Sequence, residues 1–262
     1  MVTMSNFKYI YLKIKKGKVF CLVQLLFFLV FFTSNGQNNF KNIENFKSGT
    51  TLIFQDCEID SIYSGDTGEN VTWDFSKLKP KKNKIIEEIV NSRKVPESKN
   101  FPKSNLVEKY SNGDYVFLNK DKNKTFLVGF ISNEHNLEIS YTKPMLIAQR
   151  PFSYGDKLGE NYNSSYNVNG LNFSGNGNVT IEADGYGTLI LPDRKINDVL
   201  RINITQKQEN KVEQYNSTSE MLTTTYVWFD RTHNSALLKI TQTKSQYHSE
   251  KQIEYLLKET SN

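Results

Sequence analysis

The chain has 262 residues, of which 33 are lysine or arginine and 28 are aspartate or glutamate, so its formal net charge is +5. Residues 1–36 contain five of the lysines and no acidic residue, so the rest of the chain has 28 basic and 28 acidic residues. This balance lacks the basic footprint of nucleic-acid-binding proteins. We therefore expect no nucleic acid among its partners.

The first 36 residues have the pattern of a secretory signal peptide. Basic residues precede an uncharged run of 15 residues at 19–33, and small residues follow, with the expected cleavage between Gly36 and Gln37. A membrane-spanning helix needs about 20 apolar residues, so a retained anchor is the weaker alternative. We predict an exported protein, in the periplasm, on the outer surface or extracellular, with no integral membrane span after processing.

The remaining sequence predicts one β-rich domain over 51–262, preceded by a flexible Asn- and Lys-rich segment at 37–50. Short runs of β-branched and aromatic residues alternate with turn signals, as in "TFLVGFI", "SNEHN" and "LEISYT". This pattern predicts an all-β fold, either an antiparallel β-sandwich or a barrel-like domain. Residues 82–93 and 249–260 are helix candidates, with a strand as the alternative for each, so at most one or two short helices are expected.

The stretch "EADGYGTLILPDRKINDVLRINIT" at 182–205 allows two interpretations. The two glycines of "DGYG" permit backbone angles closed to other residues, which favours a strand, a tight turn, a second strand ended by Pro192 and a third strand. Alternatively, Asp184 and Tyr186 form an exposed binding pair.

Aromatic residues give the best non-enzymatic hypothesis. Trp73 and Trp228 are the only two tryptophans, and exposed rings of this kind, with Tyr154 and Tyr186, would stack on sugars or on apolar side chains of a partner. Both tryptophans lie in strand patterns, which favours core positions for them. These residues and Asp184 are the ligand-contact candidates.

The sequence predicts no metal, no cofactor and no catalytic residue. The histidines at 135, 233 and 248 are far apart, whereas a zinc site needs convergent Cys and His ligands. There is no Gly-x-Ser-x-Gly elbow and no phosphate-binding glycine loop. Cys57 is the only cysteine after residue 36, so no internal disulfide can form, and we expect a buried, inert thiol.

Four motifs follow one another along the chain: "YSGDTGENVTWDFSKL" (63–78), "PFSYGDKL" (151–158), "ADGYGTLILPDRKINDVLRI" (183–202) and "YVWFDRTHNSALLKI" (226–240). Together they resemble a group of secreted Bacteroidota proteins of unknown function. The resemblance implies a secreted β-rich domain and brings no catalytic residues. Relatives of this kind often carry a C-terminal type IX secretion sorting domain, and we expect none here.

These observations lead to three hypotheses of function. The first is an exported, non-enzymatic β-sandwich that binds or supports an envelope or extracellular partner, either a protein or a glycan. The second is a carbohydrate-binding module, which requires aromatic side chains aligned on one exposed face. The third is a secreted hydrolase, which requires a cleft with two facing carboxylates or a nucleophile beside a base.

Overall fold

The computed structural model describes residues 39–59, 63–168, 170–215, 217–246 and 249–261. The predicted signal peptide and its cleavage site at Gly36 and Gln37 lie outside the described residues and remain predictions.

Within the described ranges the chain forms thirteen β-strands and two short 3-10 helices, Ser92–Lys94 and Pro96–Asn100. The all-β prediction with at most one or two short helices is therefore confirmed. The strands are β1 Thr50–Cys57, β2 Gly68–Asp74, β3 Pro80–Asn91, β4 Leu106–Tyr110, β5 Tyr115–Lys120, β6 Lys124–Ser132, β7 Leu137–Gln149, β8 Lys157–Val168, β9 Leu171–Ile190, β10 Lys195–Val212, β11 Ser217–Phe229, β12 Leu238–Ser245 and β13 Ser249–Ser261.

Twelve of these strands close into an antiparallel barrel. Their order is β10-β11-β12-β13-β1-β3-β4-β5-β6-β7-β8-β9, and β9 also pairs with β10, which joins the two ends. The sheet therefore has no second layer to stack against, so the sandwich alternative is wrong and the barrel alternative is confirmed. Closure satisfies the ladder hydrogen bonds that open edge strands would leave unpaired.

Both helix candidates are strands in the structure. Residues 82–93 fall mainly in β3, where the exposure of the side chains alternates from Ile86 to Val90. Residues 249–260 belong to β13, which pairs with β1 and β12. Ile85, Ile86 and Ile89 would also share one face of a helix, but antiparallel pairing of β3 with β1 and β4 fixes the alternation of a strand.

The two faces of the barrel wall are both covered in one region. Ile147 of β7, Ile202 of β10 and Val227 of β11 line one cavity. Because β7 and β11 are not neighbours in the ring, their side chains meet inside the barrel, so this face is the interior. On the opposite face, the next residue of β11, Trp228, contacts the rings of Trp73 and Phe75. The segment from β2 to residue 78 thus forms an apolar layer outside the ring.

Residues 39–49 differ from the expected flexible segment at 37–50. Phe40, Ile43 and Phe46 are almost fully buried, and the backbone of Phe40 exchanges hydrogen bonds of 2.9 and 3.0 Å with Phe152. The Asn- and Lys-rich composition concealed three apolar anchors spaced three residues apart. Burial of these side chains, at about 25 cal/mol per Å², favours a packed segment over a loose one.

Candidate functional site: the Tyr63 pocket and its buried clamp

The "DGYG" stretch does not make a turn. It lies inside β9, which continues from Leu171 to Ile190 and pairs with β10 on both sides of the glycines. The predicted strand–turn–strand interpretation of 182–190 is therefore wrong. The predicted strand beginning near Asp198 is confirmed within β10.

The two glycines are required by close approach of β2, which runs parallel to β9. A Cβ on Gly185 would lie 2.6 Å from the Trp73 ring, and a Cβ on Gly187 would collide with the backbone of Val71. The absence of side chains at these two positions lets β2 and its tryptophan lie directly on the barrel wall.

Arg201 is the centre of a buried clamp behind β2. Its side chain is 1% exposed and forms a two-point ion pair with Asp184, at 2.8 and 3.0 Å. Its Nη1 also donates hydrogen bonds of 2.8 Å to the carbonyl oxygens of Ser64 and Gly65. The guanidinium lies 5.7 Å from the centroid of the Trp73 ring.

The clamp fixes the loop that precedes β2. Trp73 Nε1 donates a 3.0 Å hydrogen bond to the carbonyl oxygen of Asp66, and the Asp66 carboxylate accepts a 2.7 Å hydrogen bond from the Tyr63 hydroxyl. Gly65 has a φ of +85°, and a Cβ there would collide with Trp73. Despite these constraints, the Tyr63 side chain points to solvent, with 69% of the residue exposed.

A pocket of about 560 Å³ opens beside this loop. Its volume falls within the range of about 300–1,000 Å³ typical of small-molecule sites. The exposed Tyr63 and the buried Trp73 both line it. Carboxylates come from Glu58, Asp66 and Asp74, and the remaining lining residues include Thr72, Phe75, Lys77, Leu78 and Lys79.

This combination of groups suits recognition of a polar ligand with a flat apolar face. An exposed aromatic ring offers a stacking surface, and carboxylate oxygens accept hydrogen bonds from hydroxyl or amino groups. The hydrogen bonds from the Ser76 backbone and hydroxyl groups lower the pKa of Asp74. Such bonds favour the ionised carboxylate, which is the acceptor form.

The structure confirms core positions for both tryptophans. Trp228 is fully buried and Trp73 is 2% exposed, with their ring centroids 6.0 Å apart in an edge-to-face arrangement. Neither side chain is available as an exposed stacking platform. Trp73 nevertheless lines the Tyr63 pocket.

The other candidates lie apart from one another or have structural partners. Asp184 holds Arg201 and is not half of an exposed pair. Tyr186 is partly exposed, and its hydroxyl donates a 2.5 Å hydrogen bond to Asp198; burial and this bond raise its pKa to about 12. Tyr154 is half-buried and, like Tyr186, packs against the apolar cluster that includes Phe40.

Other reactive side chains have ordinary structural roles. Cys57 is buried, as predicted, and burial raises the pKa of its thiol to about 11. Although burial opposes it, hydrogen bonding from His233 and Thr232 lowers the pKa of Asp230 to about 2. In the part of the chain that the structure describes, no group of three or more His, Cys, Asp or Glu side chains could hold a metal ion.

Sequence reasoning missed Tyr63 and Asp66 as site residues. They lie in "YSGDTGEN", the start of the motif at 63–78. A tyrosine within a Gly- and Asp-rich loop was the available signal, since binding residues concentrate on loops held by a rigid scaffold. The anchoring by Arg201 could not be inferred, because 136 residues separate it from Gly65.

Comparison with known protein families, with curated proteins and with solved structures found no match to this chain. The resemblance to secreted Bacteroidota proteins therefore remains a prediction. Among the residues that the structure covers, no helix is long and apolar enough to span a membrane.

Proposed function

We propose that this chain is an exported, non-enzymatic binding protein that recognises an envelope or extracellular partner through the Tyr63 pocket. The proposal combines the export signal of the sequence with the pocket beside β2. Its partner presents a flat apolar group flanked by hydrogen-bond donors, because Tyr63 supplies an exposed ring and Asp66 and Asp74 supply acceptor oxygens.

One observation carries this proposal: the exposed loop is held by a buried arginine. Removing a guanidinium from water is costly unless its donors are satisfied, and Arg201 uses two of its hydrogen bonds on the backbone of Ser64 and Gly65. Such anchoring reduces the conformational entropy that the loop loses when a ligand binds. Recognition sites typically hold their binding side chains on a backbone that is already fixed before the ligand arrives, as the Ser64–Gly65 backbone is here.

A carbohydrate is the ligand class that the pocket favours. The Tyr63 ring can stack on the apolar face of a sugar, and the neighbouring carboxylates can accept hydrogen bonds from its hydroxyl groups. This support comes from Tyr63. The two tryptophans first considered for stacking are buried.

The test is binding of the purified protein to soluble dextran, mannan, xylan and laminarin, measured by affinity electrophoresis and calorimetry. Tyr63→Ala should weaken binding at least about fivefold, taking as a guide the loss of about 1–3 kcal/mol when an aromatic side chain that stacks on a nucleic-acid base is replaced by alanine. Tyr215→Ala is the matched control, since Tyr215 is 71% exposed and does not line the pocket. Equal loss in both variants would contradict the proposal.

The same samples test the hydrolase alternative. Glu58, Asp66 and Asp74 bring three carboxylates to one pocket, and paired carboxylates are the groups that cleave glycosidic bonds. New reducing ends released from any of these polysaccharides, and lost in Asp66→Asn, would replace the non-enzymatic proposal with a glycosidase. Binding of a polysaccharide without release of new reducing ends supports the non-enzymatic proposal.

Export is tested separately by fractionation of cells that express the full chain. Protease treatment of intact cells should remove a surface protein and spare a periplasmic one. Recovery of the protein only in the cytoplasmic fraction would contradict export and leave the Tyr63 pocket to be judged by its binding alone.

A further inference from the structure

The interior of the barrel contains a second, chemically distinct cavity of about 130 Å³. Its wall is mostly apolar, with Ile181, Ile202, Val227 and Phe229 contributed by strands β9 to β11. The N-terminal segment 39–49 closes one side through Ile43 and Glu44. The cavity therefore lies between the barrel wall and this packed segment.

The closing segment is fixed by another arginine. Arg150 Nη1 donates hydrogen bonds to the carbonyl oxygens of Ile43, at 2.8 Å, and Glu44, at 3.2 Å, and to Thr125 Oγ1 at 2.9 Å. These bonds involve the backbone of Glu44, so they position its side chain without neutralising it through direct contact.

Glu44 and Gln149 are the polar residues among those that line the cavity, and Glu44 is the acidic one. Among the described residues, no side chain forms a hydrogen bond or ion pair with it. Burial raises its pKa to about 7, although the more distant charges of Lys239 and Arg150 act in the opposite direction. Glu44 is partly buried, and with no hydrogen-bond partner among the described residues its carboxyl group is open to a donor that enters the cavity.

The charges around the cavity also favour a cation. Glu87 and Glu254 share one counterion, with Lys239 Nζ 3.3 and 3.2 Å from their oxygens. Glu108 is near Glu87 and Glu44, and burial followed by these neighbouring charges raises its pKa to about 8. The charges that act on Glu44 come from the cations Lys239 and Arg150 and from the carboxyl groups of Glu87 and Glu259, so a further positive group beside Glu44 would favour its ionised form.

We propose that the interior cavity binds a small apolar primary amine, with its ammonium group donating to Glu44 and its hydrocarbon body filling the space lined by Ile202 and Val227. The size limit follows from volume, since an apolar cavity of about 150 Å³ accommodates benzene. The occupant therefore has about five or six non-hydrogen atoms. This site is independent of the Tyr63 pocket.

The experiment uses the purified full chain and isobutylamine as the probe at pH 7.5, with binding measured by calorimetry and by the shift in thermal midpoint. Isobutanol has the same body without the charge, and isobutyrate has the opposite charge. Because a hydrogen bond to a charged group contributes about 1.5–3 kcal/mol, the amine should bind at least about tenfold more tightly than either.

Two variants locate the site. Glu44→Gln keeps a similar shape and should weaken isobutylamine binding at least about tenfold. The barrel should stay folded, because burial already raises the pKa of the Glu44 carboxyl group and so favours its neutral form. Ala148→Leu places a larger side chain at a buried position that lines the cavity and should abolish binding. Equal binding of isobutanol, no binding of the amine, or unchanged amine affinity in Glu44→Gln would each overturn the proposal.

Discussion

Two cations of the barrel, Arg201 and Lys239, lie in contrasting surroundings. Arg201, on the outer face, has one carboxylate partner, Asp184, and two backbone carbonyl acceptors. Lys239, in the interior, has two carboxylate partners, Glu87 and Glu254, and lies under the phenyl ring of Phe54, 4.1 Å from its centroid. One site is matched in charge, whereas carboxyl groups outnumber cations in the other.

The two sites therefore have different roles: one fixes the orientation of a loop, and the other contains groups that gain or lose protons. A matched, two-point arginine pair fixes orientation, and Arg201 uses that orientation to hold the Tyr63 loop. An excess of buried carboxyl groups must be relieved by protonation or by a bound cation. The outer site should therefore govern loop structure, and the interior site should govern the response to pH.

The largest effect is expected from breaking the outer clamp. Arg201→Ala leaves the Asp184 carboxylate buried without its partner, which costs about 3–5 kcal/mol when one member of a buried pair is removed. Urea denaturation should show this loss in the free energy of unfolding. Arg93→Ala, at an exposed arginine, is the control and should change stability by less than about 0.5 kcal/mol.

A smaller pH-dependent effect is expected from the interior. Burial raises the pKa of Glu108 to about 8 and of Glu44 to about 7, so the folded state holds protons that the unfolded chain releases above pH 4.5. Stability should therefore be greatest near pH 5 and fall as pH rises to about 8, by about 1.4 kcal/mol per pH unit for each carboxyl group that keeps its proton only in the folded state.

Glu108→Gln tests the source of that slope. The neutral amide cannot release a proton, so thermal midpoints of this variant should depend less on pH than those of the wild type between pH 5 and 8.5. Glu134→Gln, at an exposed position on the β6–β7 turn, should leave the slope unchanged. Wild-type stability that rises across this range would contradict the proposed protonation of the interior.

The sequence was informative where its pattern is local. Residues alternate between faces along "DVLRINIT", which places Arg201 and Ile202 on opposite faces, as the structure has them, and both tryptophans lie in the core as their strand patterns indicated. Both faces of β10 are buried at Val199 and Leu200, because the segment from β2 to residue 78 covers the outside. Periodicity assigns a residue to a face without saying what covers that face.

Long-range pairing was the part that sequence reasoning could not supply. Closure depends on β1 pairing with β13, about two hundred residues later in the chain, and β2 pairs in parallel with β9, more than a hundred residues later. The glycines of "DGYG" therefore read as turn residues, although their role is to admit Trp73 and Val71. Likewise, Glu87 and Lys239 form an ion pair across 152 residues, a partnership with no local signature.

The next largest effect on stability is expected where β2 lies close against β9. Gly185→Ala would place a Cβ 2.6 Å from the Trp73 ring and 3.5 Å from Arg201 Cβ, and overpacking of this kind costs about 1–3 kcal/mol. Gly159→Ala is a matched control, because its Cβ would meet no atom closer than 3.5 Å. Similar denaturation midpoints for the two variants would show that β2 is not tightly held against β9.

The smallest effect on stability is expected at Tyr63, where binding should change most. Its ring is mostly exposed and its one described hydrogen bond, to Asp66, is at the surface, so Tyr63→Ala should alter the free energy of unfolding by no more than about 0.5 kcal/mol. Arg201→Ala should weaken ligand binding as well as folding, because it releases the Ser64–Gly65 backbone. If Tyr63→Ala destabilised the barrel as much as Arg201→Ala, Tyr63 would belong to the structural clamp, and the pocket would lose its recognition residue.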